Sequence, residues 1–339
     1  MSVRNCRSLR LLWVAFLFAA LCSLALAHAQ QSGRSYRLGF LTPYAVPPGD
    51  VGEENREAYK TFEQTLRERG YIRGENLTLT YRSTGGRDEL LGTLVEEFLR
   101  EKVDVLLTLG TPATLAVQRA TKSTPIVMVT VLDPVHSGFV ASLSRPGGNI
   151  TGSSELSEEL APKRLELLKE ALPKTVRVAV LFDPTHPANA LDLKRTEAAG
   201  KTFGLKVRGF AAHDAAEIEQ TFVAMQPWHP DALVVLTSYS AFTHLSRIIA
   251  GAKKRKLPTI YGTWQGAKSG ALLSYGPDIP DQYRHAALFV DRILKGANPA
   301  DLPVEQPTNI QLAINLTTAK ALGITIPQSL LVRANEVLE

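Results

Sequence analysis

The sequence predicts an α/β chain of two three-layer lobes, each built on a parallel sheet covered by helices. Three observations predict it. From Tyr36 onward, short apolar runs alternate with stretches of helical periodicity. Several of those runs are nearly continuous in Val, Leu, Ile and Met, as strands buried on both faces must be. The alternation then stops at a turn-rich break, Ser144-Arg145-Pro146-Gly147-Gly148-Asn149, and starts again. A chain of 339 residues with 45% hydrophobic side chains has enough apolar material for more than one core.

In the first half, Arg37 to Leu41, Asn76 to Tyr81, Val103 to Leu109 and Pro125 to Val131 read as strands. Between them Tyr59, Phe62 and Leu66, and then Leu90, Leu91, Leu94, Val95 and Phe98, recur at the spacing of a helix face. After the break the elements alternate again. The spacing predicts helices over Glu159 to Ala171, Ala188 to Phe203, Ala215 to Met225 and Phe242 to Lys256. Strands are predicted at Val176 to Phe182, Leu205 to Phe210, Ala232 to Thr237, Thr259 to Tyr261 and Ala271 to Tyr275. A helix from Gln282 to Leu294 precedes Pro299, Pro303 and Pro307, an extended stretch suited to crossing between lobes.

The first 29 residues read as a signal peptide. Arg4, Arg7 and Arg10 form a basic start, Leu11 to Leu26 is apolar, and Ala27-His28-Ala29 is a small-x-small cleavage pattern, so the mature chain is expected to begin at Gln30. A run of about 16 apolar residues is short of the roughly 20 that span a bilayer. Cys22, the candidate for lipid attachment, is preceded by Ala19-Ala20-Leu21, which departs from the pattern such processing requires. The expectation is a soluble protein of a bacterial periplasm. Cys6 and Cys22 both leave with the leader, so disulfides, thiol catalysis and cysteine metal sites are excluded from the mature chain. Loss of three arginines takes the formal net charge from +5 to +2, and the charges are interspersed, so nucleic acid is not an expected partner.

Strand ends are where open parallel sheets hold ligands, because helix N-termini there present free N–H groups. Gly110-Thr111-Pro112-Ala113 directly follows a strand. Gly110 permits close approach, Thr111 can cap the next helix and Pro112 suits its first turn; the pattern fits a carboxylate site or a plain helix cap. Thr42 and Tyr44 end the first strand, as a donor and a stacking ring, and Asp133 ends the fourth, as an ammonium partner or an Asp-Pro turn. In the second half the corresponding candidates are Asp183, Ser238, Tyr239 and Tyr261, with Asn189 and Trp264 weaker. Asp183 again has an Asp-Pro turn as its alternative. His136, His186, His213, His229, His244 and His285 are scattered without metal-ligand or catalytic spacing, and no G-x-S-x-G or P-loop pattern occurs. No cofactor and no metal are expected.

Several blocks occur in order and carry a resemblance: Gly110-Thr111-Pro112-Ala113, Pro125-Ile126-Val127-Met128, Asp133-Pro134-Val135, Ser144 to Gly152, Lys163 to Glu170, and Asn315-Leu316-Thr317-Thr318-Ala319-Lys320. Together they resemble the substrate-binding proteins of ABC transporters, in the group that includes tryptophan and tyrosine uptake systems. The resemblance covers the mature chain, and Ser144 to Gly152 is its most specific part. It implies a type I periplasmic binding fold: two Rossmann-like lobes with parallel sheets, joined by a hinge of three crossings, with a small molecule captured between them.

The expected division is a leader at 1–29, lobe I from 36–150 plus about 278–303, and lobe II from 151–277 plus about 304–339. The crossings would lie near Asn149 to Ser153, Tyr275 to Pro280 and Pro303 to Thr308. The implied function is a monomer that captures a solute, such as an amino acid or related carboxylate, and delivers it to an ABC permease. A sensor subunit for a membrane receptor and a periplasmic enzyme on the same scaffold are the alternatives.

Overall fold

The computed structural model describes residues 34–43, 52–131, 133–154, 157–186, 189–263 and 265–339, without the side chains of 52–55 and 157–159. The leader, Tyr44 and Trp264 lie outside the described residues. The first lobe runs β1 (Tyr36–Thr42), α1 (Gly52–Glu68), β2 (Leu77–Ser83), α2 (Leu91–Arg100), β3 (Val105–Leu109), α3 (Thr111–Ala120), β4 (Ile126–Val131) and β5 (Ile150–Ser154). All pairings are parallel, in the order β2-β1-β3-β4-β5.

The second lobe continues with α4 (Ser157–Ala171), β6 (Arg177–Phe182), α5 (Asn189–Thr202), β7 (Lys206–Ala211), α6 (Ala215–Met225), β8 (Ala232–Val235), α7 (Tyr239–Thr243), α8 (Leu245–Lys254), β9 (Thr259–Tyr261), α9 (Gln265–Lys268) and β10 (Leu273–Pro277). The chain then makes α10 (Ile279–Leu294), β11 (Ile310–Asn315), α11 (Leu316–Leu322), α12 (Gln328–Arg333) and β12 (Glu336–Leu338). The second sheet is ordered β12-β11-β10-β9-β8-β6-β7. Its pairings are parallel except β10 with β11, which are antiparallel. That exception follows from the path. The chain leaves the second sheet at the end of β10, passes through the first lobe as α10, and re-enters from the cleft side, so β11 must run the opposite way.

Helix α10 belongs to the core of the first lobe. Tyr283, Ala286, Ala287, Val290, Ile293 and Leu294 form its apolar face and join Phe40, Tyr59, Phe62 and Val105 in one cluster. Phe40 stands 5.7 Å from Tyr283 and 5.8 Å from Tyr59, ring centre to ring centre, and Tyr59 is 5.5 Å from Tyr283 in an edge-on contact. Such pairs add about 0.5–1.5 kcal/mol beyond the area they bury. Burial pushes the Tyr59 phenol up to about 12. The helix begins three residues earlier than its periodicity indicates, because Asp278 caps it and Pro280 is tolerated in a first turn.

Strand β5 lies within a stretch expected to be turn and crossing. Its sequence, Ile150-Thr151-Gly152-Ser153-Ser154, shows no strand alternation, yet it pairs with β4. Gly152 sits at φ 130°, and a Cβ there would stand 2.0 Å from the Met128 carbonyl oxygen, so only glycine allows this approach. The Ser144 to Gly152 block is therefore a fastening. Asn149 Nδ2 donates to Thr124 O at 2.8 Å, Thr151 Oγ1 donates to Leu302 O at 2.7 Å, and the Gly147 N–H donates to Ala300 O. Ser153 bridges to Glu305, whose backbone bonds to Gly152 and Ser154. The return stretch is likewise tied to the start of α10: Asp278 Oδ2 accepts from Asn309 Nδ2 at 3.1 Å and Gln311 Nε2 at 2.9 Å.

Candidate functional site

A cavity of about 160 Å³ lies where the two lobes face each other. A single enclosed water needs about 10–15 Å³, so the space is many times what one water requires and suits a small organic solute. Pro43, Leu91, Leu109, Gly110, Pro112, Ala113 and Ile279 form much of the first lobe's wall, and Leu160, Tyr239 and Phe242 carry apolar and aromatic surface opposite. The walls touch: a Cβ added to Gly86 would stand 2.3 Å from the Tyr239 ring.

The β3–α3 junction is built on Gly110, whose φ of 81° and ψ of 170° are open only to glycine. Gly110 is itself the cap residue, and Thr111 and Pro112 open the helix, which begins one position earlier than the sequence indicates. The turn is braced by Thr114, whose hydroxyl donates to Gly110 O at 2.8 Å and lies 2.8 Å from Thr108 Oγ1. Gly110, Pro112 and Ala113 line the cavity at the positive end of α3, while Thr111 is not among the lining residues. On the neighbouring strand Thr130 holds φ 52° where β4 loses register between Met128 and Val131, and it too faces the cavity.

The second lobe's wall centres on Asp183, which is 3% exposed. Its Oδ1 accepts from the Thr185 N–H at 2.9 Å and the Thr185 hydroxyl at 2.7 Å, and lies 3.1 Å from His213 Nδ1. Burial pushes the His186 imidazole below its usual range, with Asp183 pulling the other way. Across the cleft, the Asp88 carboxyl is held above the usual carboxylate range by burial and then by Glu89, with Asp183 adding to the effect and His213 opposing it. Asp183, Thr185, His186 and His213 all line the cavity. Ser238 and Tyr239 line it as well, and the Ser238 Oγ accepts from the Ala241 N–H to cap α7.

Polar atoms without a partner mark the interior of the same cavity. Thr84 Oγ1, Thr263 Oγ1 and both amide atoms of Gln282 are buried with no hydrogen-bond partner among the protein's own groups, and all three residues are lining residues. A buried donor or acceptor left unmade costs about 1–3 kcal/mol. That cost is removed when a solute supplies the missing partners. Arg164, from α4, is 5% exposed and lines the cavity too; its Nε donates to Tyr275 O and its Nη2 to Gly262 O, both at 2.9 Å. The cavity thus offers a buried cation and a helix N-terminus for a carboxylate, Asp88 and Asp183 for an ammonium group, and apolar walls for a body between them.

Of the residues proposed from sequence, the structure brings Gly110, Pro112, Ala113, Asp183, Ser238 and Tyr239 to this cavity. Others are placed elsewhere. Tyr261 is a core residue: it is 2% exposed, packs among Leu233, Val235 and Ile248, and its hydroxyl donates to Ala241 O. Asn189 is fully buried as a brace, accepting from the Asp183 N–H and donating to Thr237 O, both at 2.9 Å. Thr42 is fully buried with its hydroxyl turned to Tyr59. Asp133 is exposed in an Asp-Pro turn, where Oδ1 accepts from the His136 N–H at 3.0 Å. Sequence reasoning missed Thr84, Asp88, Arg164, Thr263 and Gln282. Only Arg164 had a signal, its place in the Lys163 to Glu170 block.

Among the described residues no helix is long and apolar enough to cross a membrane. Comparison with known proteins gives a consistent picture. Residues 52–338 match the family model described as ABC transporter substrate binding protein. A tyrosine-binding protein of Clostridioides difficile (strain R20291) is 27% identical over 268 residues, 79% of this chain and 77% of that one. Among solved structures, an ABC domain from Streptococcus pneumoniae in complex with L-Trp is 26% identical with a TM-score of 0.81, covering 90% of this chain and 100% of its own. A conserved domain protein from Vibrio cholerae O1 biovar El Tor is 28% identical with a TM-score of 0.82 over the same shares. With two α/β lobes enclosing a solute-sized cavity, and a family match spanning nearly the whole described chain, this protein belongs to the ABC transporter substrate-binding protein family.

Proposed function

We propose that the chain captures an α-amino acid with a large, aromatic side chain and delivers it to the permease of an ABC importer. The observation that carries this reading is the cluster of unpartnered buried polar atoms on Thr84, Thr263 and Gln282 inside a cavity that also has apolar walls and charges of both signs. Leu91, Leu109, Leu160, Tyr239 and Phe242 suit a hydrocarbon body. The tyrosine and L-Trp named for two relatives support the same class of solute.

The role is capture without turnover. The cavity's Thr185 and Ser238 hydroxyls are engaged in building the wall: Thr185 holds Asp183, and Ser238 caps α7. The protein acts as a periplasmic monomer after cleavage between Ala29 and Gln30. N-terminal sequencing of the exported protein should begin at Gln30, and an intact leader or a lipid on Cys22 would overturn that placement. For the ligand, mass spectrometry of solute released from purified protein should identify an intact aromatic amino acid. Saturation at 100 times Kd should stabilise the fold by about 2.7 kcal/mol. If no amino acid shifts the melting temperature, the ligand class is wrong; if the recovered solute is chemically altered on incubation, capture without turnover is wrong.

A further inference from the structure

Gln282 is the cavity residue with the largest unmet hydrogen-bonding capacity. It is 5% exposed, and both its amide oxygen and its amide nitrogen are buried without a partner among the protein's own groups. Thr84 and Thr263 each leave one such atom. The position is also held firmly. Gln282 lies in the first turn of α10, its N–H donating to Asp278 O at 3.2 Å, and Asp278 is gripped by Asn309 and Gln311 of the returning chain. The next residue, Tyr283, is locked into the aromatic cluster of the first lobe. The side-chain amide is therefore presented at the junction of the two lobes, on a helix that packing holds still.

A carboxamide is neutral and offers an acceptor beside a donor. We infer that Gln282 reads the head group of the solute, its Oε1 accepting from the α-ammonium and its Nε2 donating to the α-carboxylate. This rests on the amino-acid reading of the cavity given above and adds a basis for selection. An α-amino acid carries its donor and acceptor on one carbon, so one carboxamide engages both. An amine lacking the carboxylate, or an acid lacking the ammonium group, leaves half of the Gln282 amide buried and unpaired, and sites built to hydrogen-bond a group discriminate strongly against analogues without it. Asp88, Asp183 and Arg164, which line the same cavity, supply charges of both signs for the same zwitterion.

The test is calorimetric titration of the full mature protein with L-tryptophan, tryptamine and indole-3-propionate, and with L-tyrosine and tyramine. Wild type is compared with Gln282→Met and Gln282→Glu. The wild type should prefer each amino acid over its one-headed analogues by at least tenfold. Gln282→Met should weaken the amino acids at least tenfold while changing the analogues less, so that the preference collapses. Gln282→Glu should keep the amines, because a carboxylate still accepts from ammonium, and lose the acid and the amino acids. Without ligand, Gln282→Met should melt at or above the wild-type temperature, since methionine fills similar space with no orphaned polar atoms. A lower melting temperature, or an equal loss across all probes, makes Gln282 a structural residue and overturns the assignment. If the wild type binds amino acids and both variants keep its preferences, Gln282 alone is misassigned. If the wild type binds none of the probes, the amino-acid reading falls, and the role of Gln282 with it.

Discussion

At Thr84 and Thr263 a buried hydroxyl lacks a partner among the protein's own groups, so replacement by valine deletes an orphan and breaks no bond within the fold. Thr84→Val and Thr263→Val should each weaken solute binding about tenfold, about 1.4 kcal/mol, while the free protein melts no lower; titration and thermal denaturation read the two effects separately. Asn189 should behave in the opposite way. Its amide joins the Asp183 N–H to Thr237 O, so Asn189→Ala should cost about 2 kcal/mol in urea denaturation of the free protein. Gly110 was legible in the sequence because a strand, a glycine and a helix-starting proline adjoin. Tyr261 was not, since an aromatic at a strand end can face cleft or core, and packing against α7 and α8 decides which. Gln282 was invisible for a different reason: a polar residue at the start of an amphipathic helix looks like a solvated first turn until α10 is seen to enter the first lobe.

Among elements, the loop after β2 and the start of α7 meet across the cleft with no space to spare. Gly86, at φ 80°, has the Tyr239 ring where a side chain would be. Gly86→Ala should therefore prop the lobes apart, and solution scattering should show no contraction on adding a solute that contracts the wild type. Adding Tyr239→Ala to that variant should restore the contraction; if it does not, the block lies elsewhere. Most helices and strands were readable from their periods, because β3, β4 and β8 are apolar runs bounded by turns. Strand β5 was not, because its identity comes from Gly152 fitting against Met128 and from Thr151 reaching Leu302, 151 positions further along the chain.

For the molecule as a whole, acid should loosen the ligand-free fold. Burial depresses the pKa of His186 and of His244 below the ordinary 6.5, so below that pH the unfolded chain binds more protons than the folded one. Stability from this source is full above about pH 6.5 and is lost as pH falls through the folded-state values. The melting temperature should drop between pH 6.5 and 5, and His186→Gln should reduce the drop; a flat profile in the wild type would refute the assignment. Ligand can close the lobes only by as much as it prefers the closed form, so the contraction seen by scattering should track occupancy.

The route of the chain also sets an order of events during synthesis. Phe40, Tyr59 and Val105 are made early, but the helix that covers them, Ile279–Leu294, arrives about 140 residues after β5 is complete. The first lobe therefore lacks its last wall until that helix is available to dock. A nascent chain stalled before Ile279 should bind a hydrophobic dye through this uncovered face and resist compaction. The connectivity that shapes the cleft thus also works as a timer, keeping the first lobe unfinished until most of the second has been made.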